Sequence, residues 1–250
     1  MKGSTWCGAM LVGVLLPSLF AFQGRAEAAS APQEFKVRIE NVSNENTLKP
    51  SNGAKAPAAV APGLWAVHQN ANLLFTEGQP DRGKGLESLA EDGNPVGLAE
   101  SIKADATVAA SGVYSVPVGA SAPGPIGPGG AYEFLLTGQP ATRLTFAMMF
   151  GQSNDLFYAP AGEGIPLFDG NNNAISGDIT SRVTLWDAGT ETNEEPGVGP
   201  NQAPRQPAPH TGPREHGVVR PIAEVHDGFR YPSVSEVIRV TITPVRQMAR

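Results

Sequence analysis

The stretch AYEFLLTGQPATRLTFAMMF, residues 131–150, decides the fold class. Tyr132, Phe134 and Leu136 alternate in its first half, and Leu144, Phe146, Met148 and Phe150 alternate in its second. Successive side chains of a strand point to opposite faces, so a period of two gathers each apolar set on one face. Gly138-Gln139-Pro140 lies between the two runs as a turn signal, and together they read as an antiparallel hairpin. The same period recurs outward in both directions. Phe35, Val37 and Ile39 alternate with Lys36 and Arg38; Ile179, Val183 and Leu185 mark a strand that leads into Trp186-Asp187; Ile238, Val240 and Ile242 close before Pro244. Leu64–Val67 is short and apolar and suits strand or helix equally. Helical spacing occurs only at Leu86, Leu89, Ala90 and at Leu98, Ala99, Ile102, with a break at Gly93-Asn94-Pro95. The expectation is a mostly β chain, an antiparallel β-sandwich with one or two short helices within 84–104 and long loops.

Composition agrees with that reading. Glycine and proline make 52 of 250 residues and aromatics only 7%, which suits short strands joined by long turns. Residues 117–130, with four prolines among glycines, read as a connector. Residues 193–217 carry six prolines and almost no apolar side chain. Irregular stretches of that length inside a domain are functional or disordered, so this one reads as a proline-rich loop insertion.

The N-terminus predicts export. Lys2 is followed by an uncharged apolar run from Gly8 to Phe22 and then by Ala26, Ala28, Ala29 and Ser30. A basic end, an apolar stretch and small residues make a signal peptide, here residues 1–28. The run falls short of the roughly 20 residues that span a bilayer, so the mature chain carries no expected membrane span. The expected location is secreted or periplasmic. Cys7, the single cysteine, lies in that segment, which leaves the mature chain without disulfides and suits a bacterial exported protein. Removal of 1–28 leaves 16 basic and 23 acidic residues. Such acidity excludes a general nucleic-acid binder, which needs a basic footprint.

Three acidic clusters sit at turn signals: Asn154-Asp155; Asp169-Gly170-Asn171-Asn172-Asn173 with Asp178; and Asp187-Ala188-Gly189-Thr190-Glu191 with Glu194 and Glu195. Calcium takes six to eight oxygen ligands, which strand-end loops rich in Asp, Asn and Gly supply. Asp and Asn are also good turn residues, and composition alone leaves both readings open. The helix-loop-helix calcium spacing is absent. His210 and His216 lie six apart, which is no usual zinc spacing, and they read as solvated loop histidines. No Gly-x-Ser-x-Gly turn and no phosphate-cradling glycine loop occurs. Trp65, Trp186, Phe157 and Tyr158 are candidates for a sugar platform or, more simply, for the core.

Leu185-Trp186-Asp187-Ala188-Gly189-Thr190 resembles the spondin-domain signature, in which a strand ends in Asp-Ala-Gly-Thr before another acid. Phe146 to Phe157, ending Ser153-Asn154-Asp155-Leu156-Phe157, is similar to that family's strand and its Ser-Pro-Asp-Trp-Phe turn, with Asn154 for proline and Leu156 for tryptophan. Gly85 to Gly93 resembles its helical segment, and Phe229-Arg230-Tyr231-Pro232 with Ile238 to Val245 its closing strand. In order, the blocks span residues 34–246. The resemblance implies a β-sandwich with Ca2+ held by loops at one end. Asp155 and Asp187 are the best-matched ligands, Glu191 stands near the family's second acid, and Asp169 aligns less closely. The family's cysteines and following thrombospondin-type repeats are missing here. The expected function is a secreted, calcium-binding, non-catalytic module with a surface or extracellular-matrix interaction or adhesion role, whose partner is an extracellular protein or glycan. The rival classes are an exported carbohydrate-binding module and a hydrolase on the same scaffold.

Overall fold

In the computed structural model, which describes residues 1–4, 31–69 and 71–246, the run around Phe35 is strand β1 (Gln33–Asn41). The signal-peptide segment falls almost wholly outside the described residues. Along the chain follow β2 (Val60–His68), α1 (Leu86–Asp92), α2 (Val96–Lys103), β3 (Val108–Tyr114), β4 (Ala131–Gly138), β5 (Arg143–Phe150), β6 (Leu156–Pro160), β7 (Ile165–Pro166), β8 (Gly177–Asp178), β9 (Val183–Asp187), β10 (Arg220–Pro221), the four-residue helix α3 (Val234–Val237) and β11 (Ile238–Pro244). They form two antiparallel sheets. One has the order β4-β1-β11-β8; the other has β10-β9-β6-β5-β2-β3, with β7 also paired to β5. Among the described residues no helix is long and apolar enough to cross a membrane.

The mostly β class holds, but the hairpin at 131–150 does not. β4 pairs with β1, and β5 pairs with β2, β6 and β7, so the two strands belong to opposite sheets. Gly138-Gln139-Pro140 turns the chain from one layer to the other, closed by Thr142, whose hydroxyl accepts from Gln139 N and donates to Gln139 O. The alternation itself is real. Tyr132 and Leu136 from β4 and Leu144, Phe146, Met148 and Phe150 from β5 all enter one core, approached from two sides. Apolar periodicity names the buried face of a strand and says nothing of its neighbour. That core also takes Phe35, Val37 and Ile39 from β1 and Val240 and Ile242 from β11.

A second apolar layer covers the far face of the larger sheet. Leu86, Leu89 and Ala90 of α1 and Leu98, Ala99 and Ile102 of α2 pack there against Leu64, Ala147, Phe157 and Trp186. The central strands β5 and β6 are therefore buried on both faces. The two helices break at Gly93 as the sequence predicts. The strand expected to begin at Ile179 starts at Val183, because Thr180–Arg182 makes a 3-10 turn first.

Asn41-Val42-Ser43 fits the formal N-glycosylation pattern, yet Asn41 is completely buried. Its amide donates to Ala58 O at 2.7 Å and Ile126 O at 2.9 Å, and its oxygen accepts from Ser43. Those bonds tie the end of β1 to two loops. The asparagine is structural.

Candidate functional site

β6 and β9 run antiparallel with Leu156 opposite Asp187, which brings Asp155 and Asp187 to the same end of the larger sheet. The turn before β6 uses each of its side chains. Ser153 Oγ donates to Phe150 O and accepts from Leu156 N; Asn154 Oδ1 accepts from Glu194 N. Asp155 is 0% exposed, and its Oδ2 accepts from Thr190 N at 2.8 Å, Glu191 N at 3.0 Å and Thr190 Oγ1 at 3.2 Å. Its Oδ1 is buried and, among the described residues, has no hydrogen-bond partner.

Asp187, also 0% exposed, ends β9 and sets the turn after it. Oδ1 accepts from Gly189 N at 2.7 Å, and Oδ2 accepts from Arg220 Nε at 3.1 Å and Asn193 Nδ2 at 3.4 Å. Gly189 holds φ at +68°, and a Cβ there would meet Val218 N at 2.6 Å, so no other residue fits this turn. Arg220 stands opposite Asp187 on β10 and also reaches Glu215 at 2.7 Å. Glu191 is 2% exposed; Oε1 accepts from Gly212 N at 2.7 Å and Oε2 lies 3.4 Å from Asn154 Nδ2.

The electrostatics follow from this burial. Desolvation, then the charge of Asp187, pushes the Asp155 carboxyl up to about 8, against the N–H groups of Glu191 and Thr190. Asp187 is raised by burial in spite of Gly189 N–H and Arg220. Burial, then the charge of Glu91, raises Glu191 as well. Asp155 and Asp187 thus form a buried acidic pair at one end of the sandwich, whereas the Glu191 carboxylate turns toward Glu91 and Gly212.

Asp169 does not join them. It is exposed and caps its own turn, accepting from Asn171 N and Asn173 N at 2.8 Å and from Asn173 Nδ2 at 3.0 Å. Those donors hold its carboxyl below the usual range. It is a turn residue between β7 and β8.

Beside the buried acids lies a group that reading the sequence missed. Among the described residues, Glu87, Glu91 and His210 are the set of three or more acidic or histidine side chains whose donor atoms all fall within 4.8 Å of one another. Asp155, Asp187 and Glu191 do not close to that spacing. Glu87 and Glu91 are one helical turn apart on α1, a signal present in the sequence. His210 arrives from the proline-rich loop, with Nδ1 2.5 Å from Glu91 Oε2 and Nε2 3.2 Å from Asp92 Oδ2. It is a loop histidine and 43% exposed, as expected, but it is paired to α1. The loop packs back through Gln206 Nε2 to Asp92 Oδ1 at 2.9 Å, and Arg214 stands 3.6 Å from Glu87. The three donor atoms lie close enough together for one ion to reach them all. The aromatic side chains considered as a sugar platform are mostly core: Phe157, Tyr158 and Trp186 are buried, and Trp65 is half-buried and stacked on Phe134.

Compared with models of known protein families and with curated proteins, the chain matches none.

Proposed function

We propose that the chain is an exported, spondin-like interaction module whose loop end is organised by calcium, with no catalytic role. One observation carries this reading: Asp155 is buried and ionisable, and its Oδ1 has no partner among the described residues. Arg220 is the cation paired with Asp187, so among the described residues no cation pairs with Asp155. A buried carboxylate left alone is costly, and either a proton or a cation must answer it. The donor types suit calcium, and a bound ion would draw them closer together than they stand here. Asp155 Oδ1 offers free lone pairs, carboxylate oxygens of Asp187 and Glu191 keep acceptor capacity, and Asn193 adds an amide oxygen. When bound, the ion would supply fixed positive charge at the junction of the 153–155 and 187–195 turns. The chain's own residues would do the rest, because those turns and the loop folded over them form the surface offered to an extracellular protein or glycan. The full burial of Asp155 and Asp187 favours this reading over hydrolysis, since neither carboxyl is exposed to solvent.

A ligand that binds only the native state stabilises it by about 2.7 kcal/mol at a hundredfold excess over Kd. The expected result is a melting temperature roughly 5–10 °C higher in millimolar calcium than in chelator. Asp155→Asn keeps an acceptor for Thr190 and Glu191 and removes the charge, so this variant should melt alike in both buffers. A wild-type melting temperature indifferent to calcium and to chelator would remove the metal from the account and leave a β-sandwich of other function.

A further inference from the structure

We infer that Glu87, Glu91 and His210 form a second, separate metal site, one for a transition-metal dication such as Zn2+, that fastens the proline-rich loop to α1. The donor set is mixed: two carboxylates from adjacent turns of one helix and one imidazole from a segment about 120 residues away. Calcium takes oxygen ligands, whereas imidazole with carboxylates selects zinc and its neighbours in the first transition row. The three donor atoms already lie within 4.8 Å of one another, a separation that tetrahedral bonds of about 2.0–2.2 Å close with small side-chain rotations.

The second ring nitrogen strengthens the case. A metal-bound histidine as a rule donates its other N–H to a carboxylate, which fixes the tautomer and the ring plane. His210 Nε2 faces Asp92 Oδ2 at 3.2 Å while Nδ1 faces Glu91. Asp92 is itself held by Gln206, another residue of the loop. Charge points the same way. Glu87, Glu91 and Asp92 from α1 and Glu191 from the neighbouring turn confront one imidazole and one guanidinium, the mostly exposed Arg214, which lies 3.6 Å from Glu87. Glu91 is 1% exposed, so solvent does little to screen it. A dication balances that excess where a lone imidazolium does not. Its consequence is mechanical: the ion joins residue 210 to residues 87 and 91 and so holds a long, proline-rich segment that lacks regular structure.

The test is titration of the metal-free, untagged protein with Co2+ alone, followed by its visible d–d absorption. One equivalent should saturate the signal; Zn2+ should abolish it and millimolar Ca2+ should not. His210→Gln should remove it, and Asp92→Asn should weaken cobalt binding roughly 10–100-fold. His216→Gln and Asp155→Asn should leave it intact, which separates this site from the calcium reading. Should His210→Gln not fold, Glu87→Gln serves instead, with its circular dichroism as control and at least tenfold weaker binding as the expected result. No cobalt spectrum would mean an ordinary glutamate–histidine ion pair and would overturn the proposal. Equal cobalt affinity in wild type and either ligand variant would overturn it too.

Discussion

Trp186→Ala should lower the free energy of unfolding by about 4 kcal/mol, the largest loss expected of any single change near the site. Trp186 is 2% exposed and lies opposite Phe157 in the β6–β9 register. Phe75 packs on both rings, at 4.8 Å from Trp186 and 5.4 Å from Phe157 between centroids. The indole N–H donates to Ala159 O at 3.0 Å, across the same strand pair. Alanine therefore removes a large apolar surface beneath α1, opens a cavity and takes one donor from the Ala159 carbonyl. Trp186→Phe keeps most of the volume and loses the hydrogen bond, so about 1–2 kcal/mol is expected there. Urea unfolding of the three proteins checks the order. A cost below about 1 kcal/mol for alanine would mean that Trp186 is a surface platform after all.

Arg220→Met should cost about 3 kcal/mol at pH 8, because Asp187 remains buried without its cation. Arg220 is 31% exposed and shares itself with Glu215, which keeps this figure at the low end for a buried pair. The loss should depend on pH with a definite sign. The carboxyls of Asp155 and Asp187 are raised by burial, so the native state holds protons that the unfolded chain has released. Stability from such groups is full in acid and falls as pH rises, for Asp155 between about 4 and about 8. Without Arg220 the native carboxyl of Asp187 rises further, and protonation offsets its isolation. The deficit of Arg220→Met should accordingly shrink as pH drops from 8 to 5. A deficit that is flat with pH, or that grows in acid, would contradict this electrostatic picture. Calcium added to the wild-type protein should flatten its own decline with pH, since the ion competes with the proton for Asp155.

How much of this was legible in the sequence depended on what each residue had to do. β1 and β11 alternate because one face is core and the other carries Lys36, Arg38 and Arg239, so a period of two exposes them at once. β6 escaped because Leu156 to Pro160 are buried on both faces and nothing alternates. β3 escaped because its middle is Ala109, Ala110, Ser111 and Gly112, residues chosen for close approach; a Cβ on Gly112 would meet the Trp65 ring at 2.9 Å. The hairpin at 131–150 was misread because a sandwich presents the same pattern from both of its layers. Asp155 and Asp187 were each visible as strand-end acids, and only the likeness to a known signature paired them. Asp169 carries the same local signal and is an ordinary turn cap. Glu91 and His210 depend on the path of an irregular loop, which no spacing rule follows.

The proposed function turns on whether Asp155 Oδ1 faces a cation. A crystal structure of the protein grown in calcium, with anomalous scattering to identify the ion, tests it most directly. The expected result is an ion about 2.4 Å from Asp155 Oδ1, with oxygen ligands from the 187–195 turn. An Asp155 carboxyl with no ion beside it, in crystals that bind calcium elsewhere or not at all, would contradict it.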